Sequence, residues 1–187
     1  MQTPQLMRRV SGQKVFQFVF LACLGVILSI SAYGVIATIM GHIGVVGAVL
    51  VNVDFPPANL SPINAKPISY LMGALLGLTY SGLELAKPSM LKRSDTFHSF
   101  IMLIAFVGTA LAAYEVMYNF AIWTAELSTN SLLGVLNPDV IINQFPNPRE
   151  PWNLVFATKL STALLAIGLY VFYYMRQVQR EKLRAFR

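Results

Sequence analysis

The 187-residue sequence is 56% hydrophobic and 12% charged, with a mean hydropathy of +0.59 and a formal net charge of +6. Soluble domains carry about 25% charged residues and bury short amphipathic patterns, whereas here the apolar residues form long unbroken runs, which excludes an ordinary soluble globule. The Lys and Arg residues flank those runs instead of gathering on one polar domain, so the basic charge reads as a membrane-topology signal and not as a nucleic-acid surface.

The first run follows Arg8, Arg9 and Lys14 and continues without a charge from Val15 to Val53. That is far longer than a signal-peptide core, so it reads as a membrane segment and not as a cleaved leader. At 1.5 Å per residue it would reach about 58 Å, roughly twice the hydrocarbon thickness, and must therefore be divided. Gly41, Gly44 and Gly47 mark the division. The first span is placed at 15–40, and 41–53 is expected to lie at the outer surface or against a partner. Making two spans of the run would put Lys87, Lys92, Arg93 and the basic tail outside, against the positive-inside rule.

Further spans are predicted at 68–86, 100–127 and 152–175, with outer loops at 41–67 and 128–151. The expected architecture is therefore all-α: a single membrane domain of four transmembrane helices with both termini cytoplasmic, placed in the plasma membrane. The inner segments then hold Arg8, Arg9 and Lys14, next Lys87, Lys92 and Arg93, and finally Arg176, Arg180, Lys182, Arg184 and Arg187, while Lys66 and Arg149 are the basic residues of the outer loops. Ser94 and Asp95 can accept hydrogen bonds from the free amides at the start of the third span. Trp123 and Trp152 suit one outer interface. Pro56, Pro57, Pro62 and Pro67 in the first outer loop, and Pro138, Pro146, Pro148 and Pro151 in the second, exclude long helices there and leave two irregular docking surfaces. Asn59-Leu60-Ser61 in the first of these loops is an N-glycosylation acceptor pattern.

Charges inside the spans carry the most information, because an unpaired one costs at least about 2.5 kcal/mol. Glu115 lies eight residues before Trp123 and Lys159 seven after Trp152, so both are expected roughly 10 to 12 Å below the outer interface. A Glu115–Lys159 ion pair clamping the third and fourth spans is the prediction; a proton or cation site at Glu115 is the sharper alternative. Glu84 is expected to pair with Lys87 at the inner interface. Ser69, Gly73, Gly77 and Ser81 put a small residue at every fourth position of the second span, a helix-packing stripe. Gly108 with Ala112, and Ala157 with Ser161, are weaker versions of it.

His42 and His98 fall near opposite faces of the bilayer and cannot share one metal or haem within the chain. Cys23 is the single cysteine, which rules out an internal disulfide or a thiolate cluster. Without a phosphate loop, a nucleophile triad or a carboxylate cluster, the chain is expected to hold no catalytic residue, no metal and no cofactor by itself.

Two functions fit these features. One is a non-catalytic accessory subunit of a larger membrane complex, its partners being other membrane-protein subunits and the lipid bilayer, with no nucleic acid. The other is a small transporter, channel or quinone-binding bundle, built on Glu115 with Tyr114, Tyr118 and Asn119, or on the inner aromatics Tyr170, Phe172, Tyr173 and Tyr174. The stretch Asn147-Pro148-Arg149-Glu150-Pro151-Trp152-Asn153, with the basic tail from Arg176 to Arg187, resembles the small helical accessory subunits of archaeal ammonia monooxygenase. That resemblance covers mostly the last quarter of the chain. It implies a copper membrane monooxygenase whose copper is held by partner subunits, with this chain at the periphery, and it carries over no site residue.

Overall fold

The computed structural model describes residues 4–41, 46–52, 66–132, 134 and 154–185, and every regular element among them is an α-helix. The helices are α1 (Pro4–Gly41), α2 (Val46–Asn52), α3 (Pro67–Met90), α4 (Asp95–Leu132) and α5 (Leu154–Ala185). Three of them, over Gly12–Met40, Asp95–Thr129 and Leu154–Arg184, are long and apolar enough to cross a membrane, which makes the chain a multi-pass membrane protein. The 24 residues of α3 would reach about 36 Å, but Tyr70, Thr79, Tyr80, Ser81 and Glu84 dilute its apolar run and keep it out of that class.

The helix ends follow their local chemistry. Pro67 opens α3 at a position whose amide would be unsatisfied anyway. Pro88 removes an amide from the last turn, and the backbone N–H of Leu91 closes the end by donating to the Lys87 carbonyl at 3.0 Å. Ser94 caps α4 as expected, its Oγ accepting from the Phe97 amide at 3.2 Å. Two residues beyond α4, Gly134 takes a φ of 74° and donates its N–H to the Ser131 carbonyl at 3.0 Å, the left-handed turn for which glycine is suited.

The long helices form a row in the order α1, α3, α5, α4, with α3 and α5 inside and α1 and α4 at the edges. The α4–α5 pair is the most extensive, followed by α1–α3 and then α3–α5. Helix α5 runs antiparallel to α4: Lys182 meets Asp95, Phe172 meets Phe106, and Gly168 meets Thr109. It runs parallel to α3, Tyr170 lying against Tyr80 and the Tyr174 hydroxyl donating to the Leu83 carbonyl at 3.0 Å.

Residues 41–53 were expected at the outer surface or against a partner, and the described part of that segment packs on its own chain, at the predicted outer end of the row. Helix α2 folds back onto α1, α3 and α5. Leu50 and Val51 join Ile30, Ile68, Leu71 and Phe156 in one buried cluster. The segment has enough apolar residues to be buried by its own chain, and Gly34 makes room for it: a side chain there would meet Leu50 and Val46 at 3.1 Å.

At the other end of the row, α5 continues ten residues past the predicted span. Its polar end is tied sideways: Lys87 Nζ to Glu181 Oε1 at 3.0 Å, and Lys182 Nζ to Asp95 Oδ1 at 2.7 Å and to the Arg93 carbonyl at 3.0 Å. Lys87 was expected to pair with Glu84 on its own helix. It reaches across to α5 instead, because the tail of α5 rises as a helix beside it.

Candidate functional site

The polar groups within the apolar row are the candidates. Glu115 and Lys159 are both half-buried, on the two helices that pack most closely. Extending the α4–α5 register places Glu115 opposite about position 162, an axial offset of only about 4.5 Å from Lys159. The predicted depths therefore match. The directions do not. Gly168 faces α4, and Lys159 lies nine residues before it, about two and a half turns, so it leaves α5 away from α4, where the side of Tyr170 that packs on α3 borders the exposed face of Thr162 and Leu169. Glu115 is six residues after Thr109 and turns about 120° off the stripe that α4 presents to α5.

The ion pairs between described residues are accordingly Lys87–Glu181 and Lys182–Asp95, and Glu115 and Lys159 do not meet. One turn beyond Glu115, Asn119 is only 4% exposed, and its side-chain Nδ2 has no hydrogen-bond partner among the described residues. Tyr114 and Tyr118 stack with ring centroids 6.1 Å apart on the uncovered face of α4, where Tyr114 is 65% exposed. Around them Phe100, Leu103, Val107 and Leu111 are exposed as well, so α4 shows an apolar face that no helix among the described residues covers.

The small-residue stripe of α3 is used in its inner half. A side-chain carbon on Gly77 would stand 2.6 Å from Cys23 Sγ, so this glycine sets how closely α1 and α3 approach. Ser81 is fully buried, its hydroxyl donating back to the Gly77 carbonyl at 2.6 Å. Gly73 meets nothing within 4 Å and Ser69 is exposed, so within the described residues the stripe packs only at Gly77 and Ser81. Gly108, the weaker candidate on α4, is open as well, while Ala112 and Ser161 are buried.

Helices α4 and α5 approach closely at Gly168, where a side-chain carbon would collide with Thr109 Oγ1 and stand 3.2 Å from the Ala105 carbonyl oxygen. Nothing at four-residue spacing announces it, since Leu164 and Phe172 flank it in that register.

No protein-family model, no curated protein and no solved structure matches this chain. The reading of the site therefore stands on its geometry.

His98, in the first turn of α4, is fully buried, and its Nε2 lies 2.9 Å from the Met90 carbonyl oxygen at the end of α3. His42, Asn59 and Trp152 lie outside the described residues. No group of three metal-ligating side chains occurs among the described residues. Of the inner aromatics, Tyr170 and Tyr174 pack together and Phe172 packs on Phe106, whereas Tyr173 is exposed. Tyr80 and Tyr170 line an open cleft of about 240 Å³ between α3 and α5, with Leu76, Thr79 and Ile167.

Proposed function

We infer that this chain is a non-catalytic subunit of a larger membrane assembly, crossing the plasma membrane four times with both ends on the cytoplasmic side. The observation that carries this reading is the edge position of α4. The helix is packed against α5, its opposite face is apolar and uncovered by the described residues, and Glu115 borders that face with no counter-charge among them. A carboxylate at that depth needs a partner or a proton, and a partner chain supplies one while covering the face.

Four crossings are supported by the position of α3, which runs in register between α1 and α5 and shares their bilayer. Orientation rests on the basic residues gathered at the inner ends of α1, α3 and α5. Cysteines replacing Asn59 and Asn143 are expected to be labelled by an impermeant maleimide from outside, and one replacing Ser94 is not. Labelling at 94 overturns the orientation.

The resemblance of the last quarter to accessory subunits of archaeal ammonia monooxygenase makes a copper membrane monooxygenase the first complex to look for, with copper held by its other subunits. Native purification in mild detergent with mass spectrometry of the co-migrating chains tests this. A stoichiometric set of metal-bearing partners supports it; a chain that migrates as a monomer refutes it.

The apolar cleft between Tyr80 and Tyr170 favours a second reading, a hydrophobic ligand such as a quinone held between α3 and α5 against the two aromatic rings. A photoreactive quinone labelling these two tyrosines would support it, and labelling spread over α1 and α4 would not.

A further inference from the structure

We propose that the partner at the α4 edge is a second copy of this chain, and that Glu115 of one copy pairs with Lys159 of the next. This rests on the assembly reading above and names its first contact. Glu115 and Lys159 lie within about 4.5 Å of one depth, yet on different sides of the row. Copies inserted with one topology share that depth, so a neighbour presents its Lys159 at the level of Glu115 without any shift along the membrane normal.

Each residue lacks a counter-charge within its own chain among the described residues, and each borders uncovered surface. Beside Glu115 this is the face of Tyr114, Tyr118 and Leu111; beside Lys159 it is the face of Thr162, Ala166, Leu169 and Tyr173 on α5. Bringing the two faces together satisfies two intramembrane charges at once.

The geometry also sets the symmetry. Glu115 and Lys159 belong to different patches, so the contact joins unlike surfaces. A two-fold dimer brings one patch against itself, whereas joining unlike patches runs head to tail from copy to copy, and its closed form is a ring.

Disulfide trapping in native membranes tests this, in a Cys23→Ser background of the full chain. Glu115→Cys co-expressed with Lys159→Cys is expected to give a cross-linked dimer on oxidation, and the variant carrying both cysteines a ladder that stops at the ring size. Each single variant expressed alone stays monomeric. A cross-link between two 115 positions, or a doubly substituted chain that oxidises only within itself, overturns the proposal.

Charge reversal is the second arm. Glu115→Lys and Lys159→Glu alone should each lose the self-associated species on native mass spectrometry, and the combined swap should regain it. A swap that stays monomeric beside an associating parent overturns the pairing. Co-purified foreign subunits without any 115–159 cross-link overturn this inference and leave the assembly reading standing, whereas a parent chain that is monomeric in both assays overturns both.

Discussion

Replacing Gly168 by Ala tests whether the α4–α5 contact is as close as described. The added carbon would collide with Thr109 Oγ1, which already donates to the Ala105 carbonyl at 2.7 Å, and would stand 3.2 Å from that same carbonyl oxygen. The hydroxyl can rotate away only by giving up its bond, and the carbonyl belongs to a helix backbone that must move as a body. Overpacking of this kind costs about 1 to 3 kcal/mol. Against it stands the helix preference of Ala over Gly, about 0.8 to 1 kcal/mol.

Gly108→Ala isolates the two effects, since nothing lies within 4 Å of a carbon at that position on the same pair of helices. Gly108→Ala is expected to be neutral or more stable, Gly168→Ala less stable, and the difference to measure the overpacking alone at about 1 to 3 kcal/mol. Unfolding in mixed dodecyl maltoside and SDS micelles, followed by fluorescence of Trp123 on α4, reads both. If Gly168→Ala proves as stable as Gly108→Ala, the close approach of α4 and α5 is wrong.

Truncating Leu50 to Ala in α2 is expected to cost about 2 to 4 kcal/mol, because the side chain is 3% exposed among Ile30, Ile68, Leu71 and Phe156; a loss under about 0.5 kcal/mol in the same unfolding assay would show that α2 does not belong to the core. Gly77→Ala should destabilise the α1–α3 pair and be rescued by Cys23→Ala, which removes the atom it strikes; failure of the rescue would place the clash elsewhere. Lys182→Met should cost at most about 1 kcal/mol, lost in high salt, since the carboxylate it binds is exposed; a larger, salt-independent effect would contradict a surface staple.

Depth was legible in the sequence and direction was not. Counting residues from Trp123 and Trp152 put Glu115 and Lys159 at one level, and the register of α4 on α5 agrees. Which side of α5 Lys159 leaves from depends on the face that α5 packs with. In lipid the apolar residues surround a helix, so no polar stripe marks the face turned to its neighbour. The same loss of facing information explains Gly73 and Gly77, equal in sequence, of which Gly77 alone meets α1.

Helix α2 was visible as an apolar excess after Gly41, but its docking between α1, α3 and α5 depends on contacts far apart in the chain. The inner staples were hidden for a similar reason. Lys87 has an acid three residues before it, and the preferred acid, Glu181, comes within reach only because α3 and α5 run parallel.

The order of the helices across the row differs from their order along the chain, and this bears on how the protein is made. Chain synthesis delivers α1, then α3, then α4, and α1 and α3 are already neighbours. When α4 emerges, the helix it packs on does not yet exist, and apart from the turn that joins it to α3 it waits in the bilayer with both faces open. Helix α5 must then enter between α3 and α4, separating two helices that adjoin in sequence, and its arrival joins the α1–α3 pair to α4. Assembly thus turns on α5, and a ribosome stalled before Leu154 would leave the α1–α3 pair and a lone α4 instead of a smaller version of the fold.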